Sequence, residues 1–168
     1  MIENDQKDLA NNPDKYKKAA ATMDMGLAWY NLKEYELATK WWKKGLRIEP
    51  NNQIGWYNLG NAYREIRKYS KAEDAYEESM KIARSGEIDG CLALGEMYKY
   101  NYIEKKDKEP DVYKKCLKKH FNNRDLIAHL AGYYRDTGDK KKALFYFDKL
   151  FSIDPSQEVS DELRQLGN

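Results

Sequence analysis

The sequence predicts an all-α protein built from repeated antiparallel helix pairs. Apolar residues recur at the i, i+3, i+4 and i+7 spacing of an amphipathic helix, and the pattern returns about every 34 residues. Proline, which interrupts helices, occurs only 4 times in 168 residues. Repeats of this kind are typical of folds in which each helix pair buries its apolar face against its neighbour.

The clearest copy of the pattern is the segment WYNLGNAY at residues 56–63. Its helical spacing places Trp56, Leu59, Gly60 and Tyr63 on one stripe. Because glycine costs about 1 kcal/mol relative to alanine inside a helix, Gly60 indicates a position where a larger side chain does not fit. Related copies contain Met25 with Gly26, Leu94 with Gly95, and Leu130 with Ala131.

A second pattern, a small residue followed four positions later by an aromatic residue, comes after three of these copies. The pairs are Ala38 with Trp42, Ala72 with Tyr76, and Ala143 with Phe147. We expect Gly60 and Ala72 to lie where the two helices of a pair approach most closely. The glycine is therefore interpreted as a packing notch.

Together these residues resemble the tetratricopeptide repeat family, whose pattern is W-x2-L-G-x2-Y, then A-x3-F, then P. Segment 56–63 matches the first part, Ala143 and Phe147 match the second, and Pro50 and Pro155 match the third. The resemblance covers residues 19–157. It implies a right-handed superhelical solenoid whose first helices line a concave groove that binds segments of other proteins.

Helix-start and helix-stop residues set the order of the elements. Asn12 and Pro13 predict an N-cap and first helical position, while Pro50, Gly86 and Pro155 follow predicted helix ends. The predicted first helices cover 14–32, 53–66, 87–101 and 124–137, and the second helices cover 35–48, 69–83, 110–121 and 140–152. The predicted organisation is an extension (1–18), four repeats (19–52, 53–86, 87–123, 124–157) and a capping helix (158–168).

The third repeat departs from the pattern. With Tyr113 at the aromatic position, Glu109 stands where alanine is expected, and no proline closes the repeat. We expect the connection at 102–109 to be the longest and most mobile loop. Cys91 and Cys116 fall on facing helices, but because MIENDQKDLA has no secretory-signal pattern, we expect free thiols.

Composition and motifs argue against several classes of function. The 30 basic and 28 acidic residues give a net charge of +2, which does not favour nucleic acid as a general partner. No apolar run is long enough to span a membrane, and the two cysteines and two histidines lack zinc-ligand spacing. Phosphate-binding, hydrolase and dinucleotide motifs are missing. We expect no catalytic residue, metal or cofactor, and a cytoplasmic location.

The resemblance assigns the concave groove to inward positions of the first helices. The candidate partner-binding residues are Met23, Leu27, Tyr30, Tyr57, Asn61, Arg64, Glu96, Lys99, Asp125 and Arg135. The earlier positions are mostly apolar or aromatic, whereas the later ones lean acidic. The Lys and Asn of the family's chaperone-binding clamp are replaced by Met23 and Leu27, so chaperone tails are not the expected ligand.

The leading hypothesis is a non-enzymatic interaction module, acting as an adaptor, co-chaperone or assembly factor. A partner segment, residues 1–18 or a second copy of the chain could each cover the apolar end of the groove. The alternative function is a structural subunit that self-assembles through its repeat ends or its concave face. RNA binding is less favoured because the groove leans acidic.

Overall fold

The computed structural model describes residues 12–167, and these contain nine α-helices, one 3-10 helix and no β-strand. The all-α prediction is confirmed. In chain order the α-helices are α1 (Pro13–Asn31), α2 (Tyr35–Ile48), α3 (Gln53–Glu65), α4 (Tyr69–Ile82), α5 (Asp89–Tyr100), α6 (Glu109–Leu117), α7 (Arg124–Asp136), α8 (Lys140–Ile153) and α9 (Gln157–Gly167). Among residues 12–167, no helix has the length and apolar character that a membrane span requires.

The chain divides into two compact units, unit 1 up to Ala83 and unit 2 from Arg84 onward. In unit 1, α1 packs against α2, α3 packs against α4, and α2 also contacts α3. In unit 2, α5 pairs with α6, α7 pairs with α8, and α9 packs on α8. Each unit therefore consists of successive helix pairs, and unit 2 carries the additional terminal helix.

Three of the four pairs share one turn between their helices. The backbone of Lys33, Arg67 and Gly138 adopts positive φ angles of 62°, 56° and 78°. Lys33 and Arg67 lack the conformational freedom of glycine. Their turns are nevertheless the same as the turn at Gly138, because a backbone hydrogen bond closes each of the three. Those bonds run from the N–H groups of Glu34, Lys68 and Asp139 to the carbonyls of Trp29, Tyr63 and Tyr134, each at 2.9 Å.

The third pair is connected differently. The segment 102–109 is the longest connection between the described α-helices, as predicted, and it contains a 3-10 helix, Ile103–Lys108. Helix α6 ends at Leu117, not near residue 121 as predicted. Three residues beyond the helix end, the buried His120 accepts the Gly86 N–H at its Nδ1, at 3.1 Å.

The expectation of free thiols is also wrong. Cys91 on α5 and Cys116 on α6 form a disulfide, with their Cα atoms 6.3 Å apart. Both residues are buried, and the packing of α5 on α6 brings them together. The sequence placed the two cysteines on facing helices, but the apparent absence of a secretion signal favoured free thiols, and spacing alone does not give the distance between the two side chains.

The prediction that Gly60 lies at a close helix contact is confirmed. A Cβ atom added there would lie 2.6 Å from the ring of Tyr76 on α4. Gly26 meets Trp42 in the same way at 2.5 Å, and Gly95 lies against Tyr113. In each of these pairs, the missing side chain makes room for an aromatic ring from the second helix.

Candidate partner-binding site

The structure brings several predicted residues of unit 1 together on α1 and α3. We call Leu27, Tyr30, Tyr57, Asn61 and Arg64 the unit 1 face. Leu27 is 48% exposed, and the two tyrosines are half-buried. Burial is the main cause that raises the pKa of Tyr30; the charge of Glu65 raises it further, and the charge of Arg64 opposes the rise.

The sequence predicted only a packing role for Tyr76. In the structure, its side chain also contacts two residues of this face. Its hydroxyl donates to Asn61 Oδ1 at 2.7 Å, and its ring lies 6.3 Å from that of Tyr57. Burial raises the pKa of Tyr76, which keeps the hydroxyl protonated as a donor. The bond fixes the Asn61 amide and leaves its Nδ2 hydrogens to donate to a ligand carbonyl.

Met23 was predicted to line the same groove, but the structure places it elsewhere. It packs against the core cluster of unit 1 that contains Trp42 and Leu46. Its side chain fills the space beside Gly45 and Gly55, where added Cβ atoms would lie 2.8 and 2.9 Å from it. The residue therefore contributes to packing, and the apolar part of the unit 1 face is smaller than predicted.

In unit 2, the predicted residues Glu96, Lys99 and Asp125 lie near enough to His129 of α7 for their charges to act on its pKa. Burial lowers the pKa of His129, while the carboxylates of Glu96 and Asp125 oppose this change and Lys99 reinforces it. The His129 ring stacks on Tyr113, with ring centroids 4.9 Å apart. We call Glu96, Lys99, Asp125 and His129 the unit 2 face. Sequence reasoning missed the histidine because a lone imidazole carries little signal.

A buried carboxylate lies close to this face. Glu109, at the position of the family's alanine, is only 1% exposed, and burial raises its pKa against the opposing charges of Lys99 and Lys106. The neighbouring Tyr113 hydroxyl is buried without a hydrogen-bond partner, and the charge of Glu109 adds to the rise in its pKa that burial causes. The spacing of Glu109 and Tyr113 could have predicted this burial.

Arg135 belongs to a different arrangement. Its guanidinium pairs with Glu162 of α9 at 2.5 Å and with the neighbouring Asp136 at 3.0 Å. The structure therefore ties Arg135 to the terminal helix and does not place it with the residues around His129. Lys99 in turn lies over the ring of Tyr100, with its ammonium 5.2 Å from the centroid.

The described residues contain no group of three or more His, Cys, Asp or Glu side chains that could hold a metal ion. The side chains of the two faces are capable of hydrogen bonding, ion pairing and apolar contact.

Comparison with protein families finds three matching models. The model described as "TPR repeat" matches residues 26–66, and two models described as "Tetratricopeptide repeat" match residues 54–85 and 125–157. These three matches leave residues 86–124 uncovered, which is where α5 and α6 lie.

Curated relatives and solved structures give the same result. Over 89 residues the chain is 38% identical to Superkiller complex protein 3 from Homo sapiens, covering 51% of this chain but 5% of that protein. It is 24% identical to a TPR repeat-containing protein from Borreliella burgdorferi, over 99% of this chain and 76% of the relative. The crystal structure of YrrB, titled "a TPR protein with an unusual peptide-binding site", superposes with a TM-score of 0.60 at 17% identity, covering 96% and 80% of the two chains.

Proposed function

Because the chain belongs to the tetratricopeptide repeat family, we propose that it is a protein-interaction module that binds a partner segment on the first helices of its repeats. The observation that carries this proposal is the grouping of Tyr57 and Asn61 above Tyr76. An aromatic ring and a fixed amide side by side suit an extended peptide, since the ring packs on a side chain and the amide donates to the backbone.

The unit 2 face supports the proposal with different chemistry. Glu96 and Asp125 are exposed carboxylates, and Glu109 adds a buried one nearby. Lys99 and Arg124, whose guanidinium lies 3.4 Å from Asp125, offset part of this charge. We infer that basic residues of a partner pair with this face, which would speed association and make it depend on salt.

The proposal also holds that the chain is not an enzyme. His129 on the unit 2 face and Glu109 beside it have pKa shifts whose main cause is burial. The names of similar proteins agree with an interaction role: one is called a complex protein, and another is titled as having a peptide-binding site.

The test uses the full chain as bait in extracts of the cells that make it, with three variants. Tyr57→Ala should lower the affinity of a captured partner about tenfold, because aromatic residues dominate binding energy where they are enclosed. Asp125→Lys should slow association and weaken its salt dependence. Lys40→Glu, an exposed residue of α2 outside both faces, is the control and should leave binding unchanged.

Affinities are then measured for the purified partner by surface plasmon resonance. Circular dichroism of each variant confirms that the helices persist. A partner that loses affinity only with Lys40→Glu would place the binding surface outside the first helices and refute the proposal.

A further inference from the structure

Unit 1 contains a cavity of about 420 Å³ that shares no residue with the unit 1 face. It lies among α2, α3 and α4. The buried residues Leu46, Leu59 and Ala75 contribute to its lining, and so do the half-buried rings of Trp56 and Tyr63. Its volume falls in the range of ligand-binding pockets, and this part of its lining is apolar.

The indole nitrogen of Trp56 already forms a hydrogen bond within the protein. The Trp56 indole N–H donates to the Pro50 carbonyl at 2.8 Å. This bond holds the ring in place and leaves no indole donor for an occupant. The cavity therefore offers Trp56 as a fixed aromatic surface, which suits an aromatic or large aliphatic side chain.

The remaining lining residues are charged, and their charges are unequal. Lys43, Arg47 and Lys71 are exposed cations, while Asp74 is the single carboxylate. Within residues 12–167, neither Lys43 nor Arg47 forms an ion pair, and Lys71 lies 5.9 Å from the centre of the Tyr63 ring. This excess of positive charge is local to the cavity, because the whole chain is nearly balanced, with 30 basic and 28 acidic residues.

We propose that this cavity is a second docking site, which takes an acidic peptide segment of a partner protein and encloses one of its aromatic or large aliphatic side chains. The apolar interior would bind the side chain, and Lys43 and Arg47 would pair with carboxylates on either side of it. This site is chemically opposite to the unit 2 face, which suits basic residues. It stands independently of the function proposed for the first helices.

Single-stranded nucleic acid is the other anionic ligand that uses lysine, arginine and aromatic rings together. One feature favours the peptide. The cavity has room for a single large side chain, whereas nucleic acid requires a groove that follows the strand.

The experiment measures binding of the capped peptide Asp-Glu-Asp-Trp-Asp-Glu-Asp to the full chain by NMR, using the indole N–H signal of Trp56. The signal is assigned with the Trp56→Phe variant. Two matched peptides test each half of the proposal: one replaces tryptophan by serine, and the other replaces every acid by lysine. A low ionic strength of about 50 mM keeps the rim charges from being screened.

We expect a saturable shift of the Trp56 signal with the acidic peptide, roughly tenfold weaker binding of the serine peptide, and no binding of the lysine peptide. The double variant Lys43→Glu with Arg47→Glu should weaken the acidic peptide about tenfold. The variant Lys40→Glu with Lys68→Glu makes the same charge change at exposed positions outside the cavity and should retain binding.

Several results would overturn the proposal. They are an unmoved Trp56 signal at millimolar acidic peptide, equal binding of the lysine peptide, or equal losses in the two double variants. Tighter binding of an oligouridine at the same signal would assign the cavity to RNA instead. A dimer in light scattering that Lys43→Glu with Arg47→Glu dissolves would assign it to a second copy of the chain.

Discussion

In the pair α3–α4, the Tyr76 ring lies against Gly60 and its hydroxyl donates to Asn61, whereas in α5–α6 the Tyr113 ring lies against Gly95 and its hydroxyl has no partner. The contact between ring and glycine is the same in both. The polar surroundings of the tyrosine hydroxyl differ between the two pairs. The comparison teaches that the repeat requires the ring in the notch, while the hydrogen bond to the hydroxyl can be lost.

The two pairs also differ at the residue one turn before the ring. Ala72 in α4 is completely buried, and Glu109 in α6 is almost as buried while carrying a carboxylate. The pair α5–α6 has in addition a disulfide between Cys91 and Cys116. A covalent link in the pair that has the less favourable polar groups offsets part of their cost.

Removing the disulfide should change stability most. The bridge joins residues 25 apart, and closing such a loop stabilises a protein by about 3 kcal/mol in the chain-entropy account. Reduction should therefore lower the free energy of unfolding measured with urea, and Cys91→Ala with Cys116→Ala should match the reduced protein. If mass spectrometry shows full reduction and the unfolding curve does not move, the bridge adds no stability.

Filling the notch of α3 should have the next largest effect. Gly60→Leu pushes a side chain into the Tyr76 ring, and overpacking of this kind typically costs about 1–3 kcal/mol. Gly132→Ala is the control, because nothing lies within 4 Å of its Cβ position and alanine favours a helix by up to about 1 kcal/mol. Thermal unfolding compares the two. Equal melting temperatures for the wild type and Gly60→Leu would mean that the ring moves aside without cost.

The buried carboxylate should make stability depend on pH. Burial raises the pKa of Glu109 in the folded state, so the folded protein binds this proton more tightly than the unfolded chain. Its contribution to stability is therefore greatest in acid and falls as the pH rises above the unfolded pKa, about 4.3, until the folded pKa is passed.

Glu109→Gln removes this titration and should unfold at higher urea than the wild type at pH 7, by roughly 1 kcal/mol. The difference between the two proteins should shrink as the pH falls toward 4. A difference that stays constant from pH 4 to pH 8 would show that the carboxylate is not penalised by burial.

The smallest changes in stability should come from removing the hydroxyls of Tyr76 and Tyr113. The two substitutions should differ in the direction of their effect, and so distinguish the two helix pairs. Tyr76→Phe removes the hydrogen bond to Asn61 and should cost about 0.5–1.5 kcal/mol. Tyr113→Phe removes a buried hydroxyl without a partner and should be neutral or stabilising. Urea unfolding of both variants measures the contrast. Equal losses would mean that Tyr113 has a hydrogen bond that the structure does not show.

Much of the fold follows from local patterns. The bounds of α2 were predicted correctly, and the other α-helices, apart from α6, begin and end within about two residues of the prediction, because spacing and helix-stop residues act over a few positions. The end of α6 was missed; the predicted helix ran to residue 121, whereas His120 lies outside the helix and accepts an N–H from Gly86, 34 positions away. Such a bond has no local signature.

The candidate site shows the same division. Spacing predicted that Tyr57 lies beside Asn61, and Glu96 beside Lys99, because each pair lies on one face of one helix. It failed for Met23, whose side chain turns into the space left by Gly45 and Gly55 on other helices. It also missed the cavity of unit 1, since that surface is shared by three helices.

The sequence by itself determined the family, the order of the helices and the pairing of glycine with an aromatic ring, since periodic burial and close packing leave a regular mark on the residues. Only the tertiary structure decided that Cys91 and Cys116 join, that the Tyr113 hydroxyl lacks a partner and that Lys43 and Arg47 border an aromatic cavity. Each of these depends on the distance between atoms of different helices, which sequence spacing along one helix does not encode.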